Sequence, residues 1–385
     1  MIGPHIIFGI GNYEGLIRSW QPRAALLLDP SENAAKEFKT WSPGTFLIGR
    51  VYREDSEIEH RILNDPDDAA GWAAGIVREA AQRNPAIDVW QFNNEVAQAS
   101  PVDINKLALF SMRYIDLLAQ DGLRAAIGAF SVGRPEAPVN DGGAAWNAFV
   151  PAMRHGMKHN AVLLLHAYGA PQIFLPSRDW YLQRFERVVR PNLPADVQAM
   201  PYVYGEFGCD MGIHEQGLRK GWNTGYSGDP RAYASDLRQA ADFLAEQGTC
   251  LGACLYSLGG NQDWADFDIN GDAARELASI SWPAPKGKVA DSIVDDNIGI
   301  DIPPADLREA LFRNELARPL VDYAGASTLL RRIVADGFAA TSPEFGVNLR
   351  AIAFRAQRAQ NPKSNAVRVY CVRADRSDEV SFISV

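Results

Sequence analysis

Apolar residues along this chain gather in short, nearly continuous runs at 6–10, 25–28, 45–52, 87–92, 125–130, 161–165, 202–206 and 251–258. Between these runs the apolar spacing turns helical, over 34–41, 69–83, 104–120, 144–158, 180–190 and 231–247. Strands that are apolar throughout are covered on both faces, as in a parallel sheet flanked by helices. Eight of them alternating with helices over about 280 residues match the size and rhythm of a (β/α)₈ TIM barrel. Gly228-Asp229-Pro230 supplies an N-cap acceptor and a proline at the first helical position for the helix that follows. A closing helix is expected over 272–281, capped by Asn270 or Asp272.

The pattern changes after residue 284. Residues 282–288 read as a linker, followed by an acidic stretch with Asp295, Asp296 and Asp301. Helical spacing returns at 304–316 and 326–335, and strand-like runs at 349–358, 366–372 and 380–385. The expected organisation is a catalytic barrel over 1–284 and a small C-terminal α+β domain over 285–385. Near the start, Gly9-Ile10-Gly11 and Asp29 suggest a dinucleotide-binding turn, but position 14 holds Glu14 where the fingerprint needs glycine. A tight turn with close backbone packing is the better reading.

Two glutamates end apolar runs: Glu95 in Val89-Trp90-Gln91-Phe92-Asn93-Asn94-Glu95, and Glu206 in Tyr202-Val203-Tyr204-Gly205-Glu206-Phe207-Gly208. On parallel strands of one barrel, both carboxylates rise from the same rim. Such a pair can hydrolyse a glycosidic bond without cofactor or metal. One must act as an anion and the other as an acid. Tyr204, two residues before Glu206, and Tyr168 or His166 on the adjacent strand are expected to donate to Glu206, which suits a nucleophile. Glu95, after Trp90, Phe92 and two asparagines, suits the acid/base.

Asn94-Glu95 on the fourth strand, Gly205-Glu206-Phe207-Gly208 on the seventh and His166-Ala167-Tyr168 ending the sixth resemble the clan A glycoside hydrolases over residues 1–284. The Tyr-Gly-Glu-Phe-Gly run is most similar to family 5, the cellulase and mannanase group. The resemblance implies a retaining β-glycosidase acting on an oligo- or polysaccharide, with Glu95 as acid/base, Glu206 as nucleophile and Asn94 donating to the sugar 2-hydroxyl. The family's His-Asn pair near the third strand is missing, and Arg50 and Arg53 stand there to orient the nucleophile. Its tryptophan ending the eighth strand is displaced to Trp264. A non-catalytic glycan-binding barrel and a transglycosylase using the same glutamates are the alternatives.

Trp146, Trp180, Trp222, Tyr226 and Trp264 fall near rim loops or helix starts, and aromatic faces suit sugar rings. Trp222 and Tyr226, in the long loop after the seventh strand, are the foremost subsite candidates. Asp266-Phe267-Asp268-Ile269-Asn270-Gly271 begins like a calcium loop, but Leu277 replaces the bidentate glutamate, so a turn packed over the site is expected. With 47% hydrophobic and 22% charged residues, 385 residues can bury a full core. The net charge of −9 argues against nucleic acid or anionic membrane as partner. No apolar run reaches 18 residues, so membrane insertion is not expected. The expected partners are a carbohydrate substrate and, through the C-terminal region, glycan or cell wall. Cys209, Cys250, Cys254 and Cys371 lack zinc spacing, and Cys250 and Cys254, four apart on a predicted buried strand and too distant to bridge, read as buried thiols. With no signal segment before the first strand, a cytoplasmic location is the expectation.

Overall fold

Parallel strands β1 (Ile2–Ile6), β2 (Ala24–Leu28), β3 (Phe46–Arg50), β4 (Val89–Gln91), β5 (Ala126–Phe130), β6 (Val162–Gly169), β7 (Tyr202–Cys209) and β8 (Cys250–Leu258) form an eight-stranded sheet. It runs β4-β3-β2-β1-β8-β7-β6-β5, and a bridge between Trp90 and Ala125 joins the remaining seam. This is the (β/α)₈ barrel. The computed structural model describes residues 1–138, 142–174, 182–213, 218–260 and 262–284, with the strand backbone of 352–358, 367–373 and 380–384. The chain divides into two units, Met1–Val294 and Asp295–Val385. In the second unit, β9 (Ile352–Arg358), β10 (Val367–Arg373) and β11 (Val380–Ser384) form an antiparallel meander. The helices expected at 304–316 and 326–335 lie outside the described residues.

Helices α1 (Glu14–Trp20), α2 (Ala34–Trp41), α3 (Asp55–Asn64), α4 (Pro66–Arg83), α5 (Pro101–Gln120), α6 (Ala144–Lys158), α7 (Trp222–Gly225), α8 (Pro230–Ala245) and α9 (Gly271–Ser279) follow in chain order. Strand side chains alternate between two apolar layers. Leu26, Ile48, Val89, Val162, Leu164 and Val203 fill the barrel, while Leu27, Leu47, Trp90, Leu163 and Tyr204 pack outward with the helices. Caps are where the sequence puts them. Asp229 accepts from the Arg231 and Ala232 amides, and Asp65 does the same for α4. Asn270 occupies the N-cap of α9 but makes no side-chain bond to it.

The first strand is Ile2–Ile6, earlier than the apolar run at 6–10 suggests. Gly3 explains the shift: a β-carbon there would sit 1.9 Å from the Ala24 carbonyl oxygen, so only glycine allows β2 this close. Gly9 adopts φ +57 in the turn that follows, yet no atom lies within 4 Å of a β-carbon built on Gly9 or Gly11. The turn is real and the expected close packing is not. The helix expected at 180–190 is instead a π-helix, Phe185–Val189, followed by a 3₁₀ turn at Arg190–Asn192; Trp180 lies outside the described residues. There the buried Glu186 accepts bonds from Tyr202 (2.6 Å) and Tyr204 (2.8 Å) on the barrel wall.

Candidate active site

Regular alternation along β7 would turn Glu206 away from the cleft. Tyr202 and Tyr204 pack outward and Val203 inward, so Glu206 should point outward with Tyr204. The register with β6 shifts at this point: Leu165 pairs Tyr204, and the next residue, His166, pairs Glu206. Gly205 is thus an extra residue, a bulge that re-aims the following side chain. Its backbone is pinned by the buried His5, whose Nδ1 lies 3.2 Å from the Gly205 carbonyl. A β-carbon on Gly205 would meet Leu164 Cδ2 at 2.7 Å. Gly205→Ala is therefore expected to destabilise the barrel by about 1–3 kcal/mol and, by misplacing Glu206, to slow turnover about 100-fold. Thermal melting and kcat check both. The expected Tyr204–Glu206 bond is absent for the same reason, since Tyr204 serves Glu186 on the opposite face.

On the strand-four side, Glu95 adopts φ +53 and its amide donates to the Ala129 carbonyl at 2.9 Å. A left-handed, non-glycine residue carries strain that concentrates at functional sites. The loop is held by Asn93, donating to the Gly128 carbonyl (2.8 Å), and by Gln91, whose Nε2 donates to the Asn93 carbonyl (3.0 Å) and Asn94 Oδ1 (3.3 Å). The Asn94 side chain also bonds Asp55, and both residues line the cleft.

The two carboxylates meet over His166. Its Nδ1 lies 2.6 Å from Glu95 Oε1 and 3.6 Å from Glu206 Oε2. Tyr168 donates to Glu206 Oε2 at 2.8 Å, and Arg50 Nη1 stands 3.6 Å from Oε1. A carboxylate oxygen of each glutamate and a His166 nitrogen all fall within 4.8 Å of one another. That spacing could also hold a divalent ion, but the Arg50 guanidinium already places a fixed cation there. Burial opposes a charged His166, but the charge of Glu206 and the bond and charge of Glu95 outweigh it, so its pKa rises. Burial lowers His5 to about 4, leaving it neutral. Burial, with the charges of Glu95 and Glu206, pushes Asp210 up to about 6 against a hydrogen bond from the Gly212 amide.

Glu95, Glu206, Arg50, Tyr168, His5 and Asp210 line a cleft of about 980 Å³ at the C-terminal rim, together with Asn94, Trp264, Tyr256 and Phe267, while His166 is buried beneath the two carboxylates. Tyr256 stands edge-on to Trp264 at 5.4 Å, and Arg219 lies over the Trp264 ring at 4.9 Å. Asp266 and Asp268 are spent on backbone amides, Asp266 on Gly221 and Thr224, Asp268 on Gly259. They brace the rim loops as a packed turn does. Trp222 and Tyr226 are corrections: both are buried, packed on Tyr233, with Trp222 bonded to the Asp268 carbonyl and Tyr226 to Asp236. Neither reaches the cleft. Trp146 is likewise core, against Phe130 and Phe185, and Arg53 donates to the neighbouring Tyr52 carbonyl.

Sequence reasoning missed His5, Asp55, Asp210, Tyr256 and the exposed rim aromatics Phe8 and Tyr52, all lining the cleft. A lone histidine in an otherwise apolar first strand and an aromatic near the end of the last strand were the available signals.

The barrel, with its glutamates at the ends of strands four and seven, matches the architecture the clan A resemblance implies. Among solved structures the chain is similar to an endo-β-1,3-glucanase of GH128 subgroup II from Pseudomonas viridiflava, at 13% identity and TM-score 0.39, covering 73% of this chain and 97% of that one. It is also similar to a β-mannanase from Thermomonospora fusca, at 13% identity and TM-score 0.40, covering 76% and 94%. A third is a GH2 β-galacturonidase from Eisenbergiella tayi bound to glycerol, at 12% identity and TM-score 0.39, covering 74% of this chain and 46% of that one. No family model and no curated protein matches the chain.

Proposed function

We propose that the protein is a retaining β-glycosidase. The observation that carries this reading is the separation of the carboxylates: an oxygen of Glu95 and one of Glu206 lie within 4.8 Å. Retaining enzymes hold the pair about 5–5.5 Å apart, whereas inverting ones leave about 6.5–9.5 Å for a water. Glu206 attacks the anomeric carbon as Glu95 protonates the departing glycosidic oxygen. Glu95 then takes a proton from the water that releases the sugar from Glu206. Tyr168 and Arg50 hold the nucleophile, and the Asn94 amide meets the 2-hydroxyl. Trp264 and Tyr256 offer the sugar an aromatic face. A screen of aryl β-glycosides, β-glucans, mannans and wall glycans tests this; the first product seen by proton NMR should be the β-anomer, and an α-anomer overturns the reading.

The C-terminal region is proposed as an accessory that contacts glycan or cell wall. A chain ending at Pro285 is expected to fold, to melt cooperatively and to keep activity on a small soluble substrate, because the eight barrel strands and both glutamates precede it. Activity on polymer should fall, through loss of local concentration. Insoluble or non-cooperatively melting protein would remove the two-domain reading.

A further inference from the structure

At the opposite end of the barrel from the cleft, two histidines and an aspartate converge without any part in the chemistry above. His155 and His159 are four residues apart, on the last turn of α6 and at its C-cap, so both imidazoles project from one helix face. Asp116, late in the adjacent helix α5, points one carboxylate oxygen at both. His155 Nε2 lies 2.7 Å from Asp116 Oδ1, and His159 Nε2 lies 3.9 Å from the same atom. The rings stand 4.6 Å apart, tilted by 37°.

We propose that Asp116, His155 and His159 bind a divalent first-row transition ion of the zinc type. Their ligand atoms all lie within 4.8 Å of one another. Tetrahedral zinc, with bonds of about 2.0–2.1 Å, sets its ligands about 3.3 Å apart. The two carboxylate–imidazole separations, 2.7 Å and 3.9 Å, each need an adjustment of about 0.6 Å, and the two imidazole nitrogens, within 4.8 Å of each other, must close by side-chain rotation. Two imidazoles and one carboxylate select zinc, cobalt or nickel over magnesium or calcium, which prefer oxygen ligands. The C-terminal end of α6 also carries the negative pole of its helix dipole, favourable to a cation. All three side chains keep some exposure, so an ion has a path in and a water can fill the fourth position. The site ties α5 to α6 at the N-terminal face of the barrel, the face associated with stability rather than catalysis. The ion is a clamp.

The test is calorimetric titration of tag-free full-length protein with zinc chloride, paired with thermal melting. One equivalent should bind with Kd of roughly 10 µM or tighter, and saturation should raise Tm by roughly 3–6 °C. Asp116→Asn and His159→Ala should each weaken binding at least tenfold, and the His155→Ala/His159→Ala pair should abolish the Tm gain. Without zinc these variants should melt as the parent does, since exposed ion pairs contribute little. Cobalt should give the intense visible band of a tetrahedral site in the parent and lose it in the double variant. Binding weaker than roughly 10 µM, or binding unchanged in the three variants, overturns the proposal. Zinc held instead at Glu95, His166 and Glu206 would survive the double variant and vanish with Glu206→Gln, and that outcome overturns it too.

Discussion

Glu206→Ala is expected to lower kcat on the order of 10⁵-fold, the scale on which loss of a covalent nucleophile is felt. The fold should survive, because the side chain ends in the cleft and its bonds are to Tyr168, with Arg50 and His166 nearby, rather than to the core. The vacancy left by the carboxylate is large enough for azide or formate to stand in from the same face. Added azide should therefore restore turnover of an activated aryl β-glycoside and give the α-glycosyl azide, a single inversion. Near-native activity in Glu206→Ala, on a substrate the parent cleaves, would remove the nucleophile assignment.

Glu95→Ala should behave differently, and the contrast depends on the leaving group. An alkoxide leaving group needs a proton in the transition state, whereas a nitrophenolate departs with little help. Cleavage of an unactivated disaccharide is expected to fall by about 10³–10⁴-fold, while the first step on a dinitrophenyl glycoside should change little. With the base missing, release of sugar from Glu206 becomes slow, and azide should accelerate it, giving the β-glycosyl azide through two inversions. One reagent thus yields opposite anomers in the two variants. Equal losses on both substrate types would take Glu95 out of the acid role.

The barrel was legible because its strands are apolar on both faces, and β2 to β8 lie where the runs at 25–28 through 251–258 put them to within a few residues. The first strand was obscured by Pro4 and His5, which interrupt its apolar run. Helix α3 was missed as a separate element because the apolar spacing used for the next helix begins only at Ala69, beyond the Asp65-Pro66 cap. The catalytic pair was visible as glutamates at strand ends, but its geometry was not. Counting alternate residues put Tyr204 beside Glu206, and only the Gly205 bulge reverses that parity. Trp222 and Tyr226 failed for another reason. Aromatic residues in a long loop have the composition of a sugar platform, yet these stack on Tyr233 and fill the space beneath the loop. Asp55 and Asp210 carry no local signal at all, since only the barrel's closure brings the ends of separate strands to one cleft.

The proposed chemistry rests on a covalent bond between Glu206 and the sugar, and that bond can be caught. Dinitrophenyl 2-fluoro-β-glycosides of several sugar configurations form the intermediate quickly and release it slowly, because the fluorine destabilises both transition states while the leaving group rescues only the first. Mass spectrometry of a peptic digest after inactivation should show one fluoroglycosyl adduct, on the peptide containing Glu206, and Glu206→Gln should show none. An adduct on Glu95, Asp210 or any other residue would contradict the account, as would hydrolysis of the parent β-glycosides to the α-anomer with no adduct formed.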